Sequence, residues 1–176
     1  VTDVSGLIAT LEHYLGGVLR TAEDRRRAYD LAVANVHAPV QRALEDVGSV
    51  TVSTDEDIGD ISCIYEVDGP GPEAAMVFIS TVLPYAAVIL THTRRYSRFG
   101  SMKEVGWPAS VVSCLTERGF LVLPDEACRA KRPNPRWPDG PIPSYFEDLF
   151  EDEFGPPEDW FWVGDPELAD ELGERP

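Results

Sequence analysis

Three histidines, three cysteines and several acidic runs are the side chains here whose types allow chemistry. Their spacing decides how much. His13 and His37 fall in segments of helical periodicity, and His92 closes an apolar run. None has a second His or a Glu at the separation that brings two ligands to one metal. Cys63, Cys114 and Cys128 are too few and too widely spaced for a disulfide framework or a zinc site, and their odd number suits a reducing compartment. Cys128 has Arg129 and Lys131 beside it, a setting that lowers a thiol pKa. Cys63 and Cys114 sit on apolar faces. With no His in register, all three are read as packing residues. Asp55, Asp57 and Asp60 around Gly59 alternate like the oxygen ligands of a calcium loop, but the Glu that closes such a loop is missing. A polar turn accounts for them. Ser5, Ser80, Ser110 and Ser113 lack the glycine-flanked nucleophile turn, and Gly69, Gly71, Gly100 and Gly106 do not form a phosphate loop. These patterns yield no catalytic residue, no metal ligand and no cofactor.

The strongest signal is at the C-terminus. Residues 145–176 hold twelve carboxylates and one arginine, so they contribute −11 of the chain's −16. Seven aromatic residues interleave with those acids: Tyr145, Phe146, Phe150, Phe154, Trp160, Phe161 and Trp162. A merely solvated tail has no need of large rings. A helix over 145–154 would set Phe146, Leu149, Phe150 and Phe154 against the chain's core. Glu147, Asp148, Glu151 and Asp152 would then face outward as a stripe. That stripe, with Trp160 and Trp162, is the expected partner-binding surface, and a basic protein is the expected partner.

The middle of the chain has the opposite sign. Residues 92–144 sum to +4 and include Arg94, Arg95, Arg98, Lys103, Arg129, Lys131, Arg132 and Arg136. The simplest use for them is to receive the acidic tail. Tyr96, Phe99 and Trp107 among the bases resemble a single-strand grip, but the overall acidity speaks against nucleic acid.

These groups must be positioned by an α+β fold. Leu7, Ile8, Leu11, Leu15 and Val18 make one helix face, and Tyr29, Val33, Val36, Val40, Leu44 and Val47 make another. Pro39 should bend or divide the second helix, and Gly48 should stop it. An antiparallel sheet of four to five strands follows, including Ser49–Ser53, Ile61–Val67, Met76–Val82 and Tyr85–Thr91, and a separate short strand, Phe120–Leu123, comes after the next helix. Ile61, Cys63, Tyr65 and Val67 share one face of their strand, and Ser62 falls on the other. One further helix runs from Pro108 to Glu117. Eight prolines between 124 and 157 then predict an extended wrap leading to the acidic C-terminal helix.

The expected organisation is a single α+β domain over 1–144, with the acidic-aromatic segment 145–176 docked on it. The uncharged run Ala74–Thr91 is rich in β-branched residues and cut by Pro84, so two buried strands are expected rather than a membrane span. Expected core positions are Val33, Val36, Val40, Ile64, Val77, Ile79, Val88, Leu90, Val112, Leu115 and Leu121. Thirteen Arg against two Lys fits a GC-rich bacterial genome, and a cytoplasmic location is expected. In composition, though in no motif, the chain looks like small acidic immunity proteins that neutralise a toxin. A non-enzymatic immunity, antitoxin, inhibitor or adaptor protein is therefore the leading expectation. A structural or assembly subunit of a larger complex, or an enzyme with a scattered, motif-free site, are the alternatives.

Overall fold

The computed structural model describes residues 4–17, 22–53, 62–80, 84–92, 96–131 and 144–150. Two helices, α1 (Val4–Gly17) and α2 (Ala22–Ala32), come first. A wide π turn over Val33–His37 joins α2 to α3 (Ala38–Glu45) without a break in direction. Pro39 causes the change of winding. It lies just after the π turn, whose looser winding accommodates the ring that would clash with the preceding turn of an α-helix. The extra residue in that turn moves the apolar face. Ala32 is buried and Val33 is 36% exposed, so the expectation that Val33 lies in the core fails.

Five strands form an antiparallel ladder in the order β1 (Ser49–Ser53), β2 (Ser62–Asp68), β3 (Glu73–Ser80), β4 (Tyr85–His92) and β5 (Tyr96–Phe99). Short loops join consecutive strands, which makes antiparallel neighbours the natural outcome. A two-residue strand, β6 (Leu121–Val122), adds parallel to the start of β4, beyond helix α4 (Trp107–Thr116). Its brevity explains a second departure: Leu121 is 51% exposed rather than buried. Two short helices complete the described chain, α5 (Asp125–Arg129) and α6 (Tyr145–Phe150). Ala74–Thr91 contributes to β3 and β4, and no described helix is long and apolar enough to cross a membrane.

The sheet is covered on both faces. One face presents Cys63, Tyr65, Val67, Ala75, Val77, Ile79, Ala86, Val88 and Leu90 to α3 and α4, where Val40, Leu44, Val111 and Leu115 meet them. The other presents Phe78, Tyr85, Ala87, Ile89 and Phe99 to α5 and α6, with Leu7 and Ile8 of α1 at the margin. Strand periodicity assigns alternate residues to the two cores. Both cores explain why β3 and β4 read as continuous apolar runs. Val36 and Ile64 are partly buried against these clusters, while Val112 is buried.

Trp107 ties the helical layer to the hairpins. Its indole N–H donates to the Val47 carbonyl at 2.7 Å, and its ring lies over Gly69, where a Cβ would come within 2.6 Å of ring carbons. Gly48 is equally constrained. A Cβ there would run into the Asp68 carbonyl and stand 2.8 Å from Val67. The N–H of Gly48 also satisfies the Leu44 carbonyl at the end of α3.

Candidate binding surface

The acidic segment begins at α6, and three sets of contacts hold that helix. The first is a reciprocal cap. The Ser144 hydroxyl accepts the Glu147 N–H at 3.2 Å, and the Glu147 carboxylate accepts the Ser144 N–H. This Ser-x-x-Glu arrangement satisfies two helix-end donors and specifies where the helix starts. The Tyr145 N–H donates to the Ala130 carbonyl at 3.0 Å, which pins the start of α6 to the end of α5.

The second is apolar burial. Tyr145, Phe146, Leu149 and Phe150 are all buried against the sheet. The Phe146 ring lies 5.1 Å from Phe78, 5.2 Å from Phe99 and 5.3 Å from Phe150, the first two edge-on. Six residues are too few for a helix to persist alone, so this packing is what keeps α6 helical.

The third is a pair of buried serines. The Ser80 hydroxyl donates to the Leu149 carbonyl at 2.9 Å, and the Ser62 hydroxyl donates to the Phe150 carbonyl at 2.7 Å. The two serines are directly paired across β2 and β3. The last carbonyls of a helix have no partner within it, and burying them unpaired is costly. Ser62, on the strand face opposite Cys63, Tyr65 and Val67 as expected, is buried there because it closes the end of α6.

Of the expected partner-binding residues, Glu147 is half-buried, takes part in the cap and lies 3.7 Å from the Lys131 ammonium. Asp148 belongs to the backbone of α6. Glu151, Asp152, Trp160 and Trp162 lie outside the described residues, as do residues 132–143 of the proline-rich wrap and the turn bearing Asp55, Asp57 and Asp60, while the start of that wrap is helical as α5. Among the described cations of the basic middle, Arg98 and Arg129 are used in local contacts and Lys131 faces Glu147. The Arg98 guanidinium grips Glu104 through two hydrogen bonds of 2.5 and 2.6 Å. Ser101 adds its N–H to the same carboxylate at 3.0 Å. The hydrogen bonds from Arg98 hold the Glu104 carboxyl below the usual range, against a smaller upward push from burial. Arg129 pairs with Asp125 and lies 5.9 Å from the Phe99 ring centre.

Groups able to do covalent chemistry are set into the cores. Cys63, Cys114 and Cys128 are free thiols and all are buried. Burial pushes Cys128 far up, outweighing Arg129, and also raises Cys114. The cationic setting that the sequence offered Cys128 is thus overridden by desolvation. His37 stacks on the buried Tyr65 ring at 5.5 Å, and its Nδ1 shares a 3.1 Å hydrogen bond with the Tyr65 hydroxyl, whose pKa burial raises. A shallow cleft of about 400 Å³ between α3 and α4 is lined by Asp46, Ser110, Ser113, Cys114, Glu117 and Arg118. Within it Arg118 donates to the Cys114 carbonyl at 2.8 Å. Among the described residues no group of three His, Cys, Asp or Glu is placed to hold a metal ion.

Comparison with protein-family models, with curated proteins and with solved structures yields no match to this chain.

Proposed function

We propose that this chain is a non-enzymatic, acidic protein-binding module of the immunity, antitoxin, inhibitor or adaptor type, and that its partner is a basic protein. The observation that carries the reading is the anchoring of α6. Its four apolar side chains and its terminal carbonyls are consumed by the sheet, so the acidic run starts from a rigid root. Beyond that root the sequence holds ten further carboxylates, one arginine and four large rings, Phe154, Trp160, Phe161 and Trp162. Such a composition favours fast electrostatic capture followed by aromatic anchoring.

On this reading the acidic helix continues from α6 toward Phe154, setting Asp148, Glu151 and Asp152 in one outward stripe next to Glu147, which is kept for the cap. Trp160 and Trp162 supply the anchors. Residues 1–144 serve as the scaffold, with 145–176 docked upon it after the proline-rich wrap. The three free thiols fit the reducing cytoplasm of a bacterium.

The test is the association rate with the partner, identified by affinity capture from the native host, measured across ionic strength. The reading expects the rate to fall steeply as salt screens the carboxylates. A rate indifferent to salt would reject electrostatic capture.

A further inference from the structure

The first strand of the sheet offers a second surface for the same basic partner, and this inference rests on the reading just given. β1 is the terminal strand of the ladder and pairs with β2 alone among the described strands. Its sequence, Ser-Val-Thr-Val-Ser, carries no charge and no proline, and its register with β2 runs unbroken from Ser49–Asp68 to Ser53–Ile64. Edge strands are ordinarily blunted by lysine, proline or a bulge. At the opposite edge β5 carries Arg98 and spans four residues. β1 has none of these devices.

The register also says which backbone groups look outward. The Gly69 N–H donates to the Glu73 carbonyl, so at this position, which continues the Asp68–Ala74 register, the β2 backbone bonds toward β3. Bonding direction alternates along an antiparallel strand. Val67 and Tyr65 therefore bond toward β3, while Asp68, Glu66 and Ile64 bond toward β1. Their partners Ser49, Thr51 and Ser53 point their backbone groups at β2, and Val50 and Val52 point theirs away from the sheet.

The side chains beside that edge select the occupant. Thr51 and Glu66 are cross-strand neighbours on one face, as are Ser49 and Asp68, and all four are exposed. A strand laid along β1 would set alternate side chains within reach of Glu66 and Asp68 across the short Thr51 and Ser49. Lysine or arginine at those positions is attracted, and an acidic residue is repelled. A second copy of this chain would bring another net −16 to the same place, so self-pairing is disfavoured.

We infer that β1 is a docking edge for an extended, basic segment of the partner protein, which adds as a further antiparallel or parallel strand through Val50 and Val52, with its cations over Glu66 and Asp68. This is strand addition of the kind in which main-chain bonds give affinity and alternate side chains give specificity.

The test uses the full chain and a blocked peptide of alternating lysine and valine, followed by amide hydrogen exchange. The Val50 and Val52 amides should exchange fast in the free protein and slow saturably as peptide is added. Thr51→Lys should weaken peptide binding by roughly two- to fivefold, the size of an exposed charge contact, and Thr51→Glu should strengthen it. Val52→Pro, which removes an outward N–H while sparing the bonds to β2, should abolish the protection at Val50. A variant with Glu151→Gln and Asp152→Asn should keep the protection of β1, which separates this edge from the acidic tail. Protection of Val50 and Val52 without peptide overturns the inference: if it is independent of protein concentration, the chain's own residues cover the edge, and if it grows with concentration, a second copy does. Peptide that binds without slowing these two amides, or does not bind, overturns it as well. Salt-sensitive capture of the native partner would in that case leave the proposed function standing.

Discussion

Replacing Phe146 with alanine removes the ring on which α6 and the second core converge. The side chain is 2% exposed and meets Phe78, Phe99 and Phe150 at centroid distances of 5.1, 5.2 and 5.3 Å. Transfer of the lost surface contributes roughly 1.5–3 kcal/mol. The cavity left between β3, β5 and α6 adds to that, so the expected total is about 3–5 kcal/mol. The Phe150 backbone is held by the bond from Ser62 to its carbonyl, which limits how far α6 can shift to close the space. Equilibrium urea denaturation, followed by far-ultraviolet circular dichroism, is the assay. With a slope of about 2 kcal/mol/M the midpoint should drop by roughly 1.5–2.5 M while the slope stays unchanged. A loss below about 1 kcal/mol, or a separate early transition confined to α6, would refute the claim that this helix belongs to the cooperative core.

Acid should selectively remove the contribution of Glu104. Its folded pKa is depressed by Arg98, so the stabilisation is fully present above the ordinary carboxylate range and is lost as pH falls through the folded value. The stability difference between wild type and Glu104→Gln should therefore shrink toward zero in strong acid, and a difference constant with pH would contradict this. Gly69→Ala should cost about 1–3 kcal/mol by thermal or urea melting, because its methyl would press on the Trp107 ring at 2.6 Å; an unchanged midpoint would show that the ring shifts freely. Cys63 and Cys128, both fully buried, should resist a water-soluble disulfide reagent in the native protein and react only in denaturant. Rapid native labelling of either would disprove the packing described.

How far these features are legible in the residues differs by element. The ladder from β1 to β4 is readable because alternation in β1 and β2, the continuous apolar runs of β3 and β4 and the Asp68–Glu73 loop leave little choice of pairing. The division of the second helix is readable from Pro39, but the winding of the turn before it is not. That single extra residue exposes Val33 and buries Ala32. β5 is masked in the sequence by its own edge position: Arg98 suggests a ligand grip, whereas it serves to hold Glu104. Ser62 and Ser80 carry polar side chains in strands, and nothing in their neighbours names a partner for them. Only the position of α6 reveals that their hydroxyls close its C-terminus. One signal for the site does stand in the sequence: Ser144-Tyr-Phe-Glu147 is a capping box ahead of an apolar pair, and it marks the start of α6. The short helix α5 has too few residues for periodicity to show.

The central claim, that the carboxylates beyond the α6 root capture a basic partner, is tested most directly on one variant. Asp148→Asn, Glu151→Gln and Asp152→Asn together neutralise the stripe while leaving Glu147 and the cap intact. Stopped-flow association with the captured partner at low ionic strength, alongside a thermal melt, separates binding from bracing. The account predicts a several-fold slower association with an unchanged melting temperature. Wild-type association rates with a lowered melting temperature would contradict it and make the stripe an internal brace.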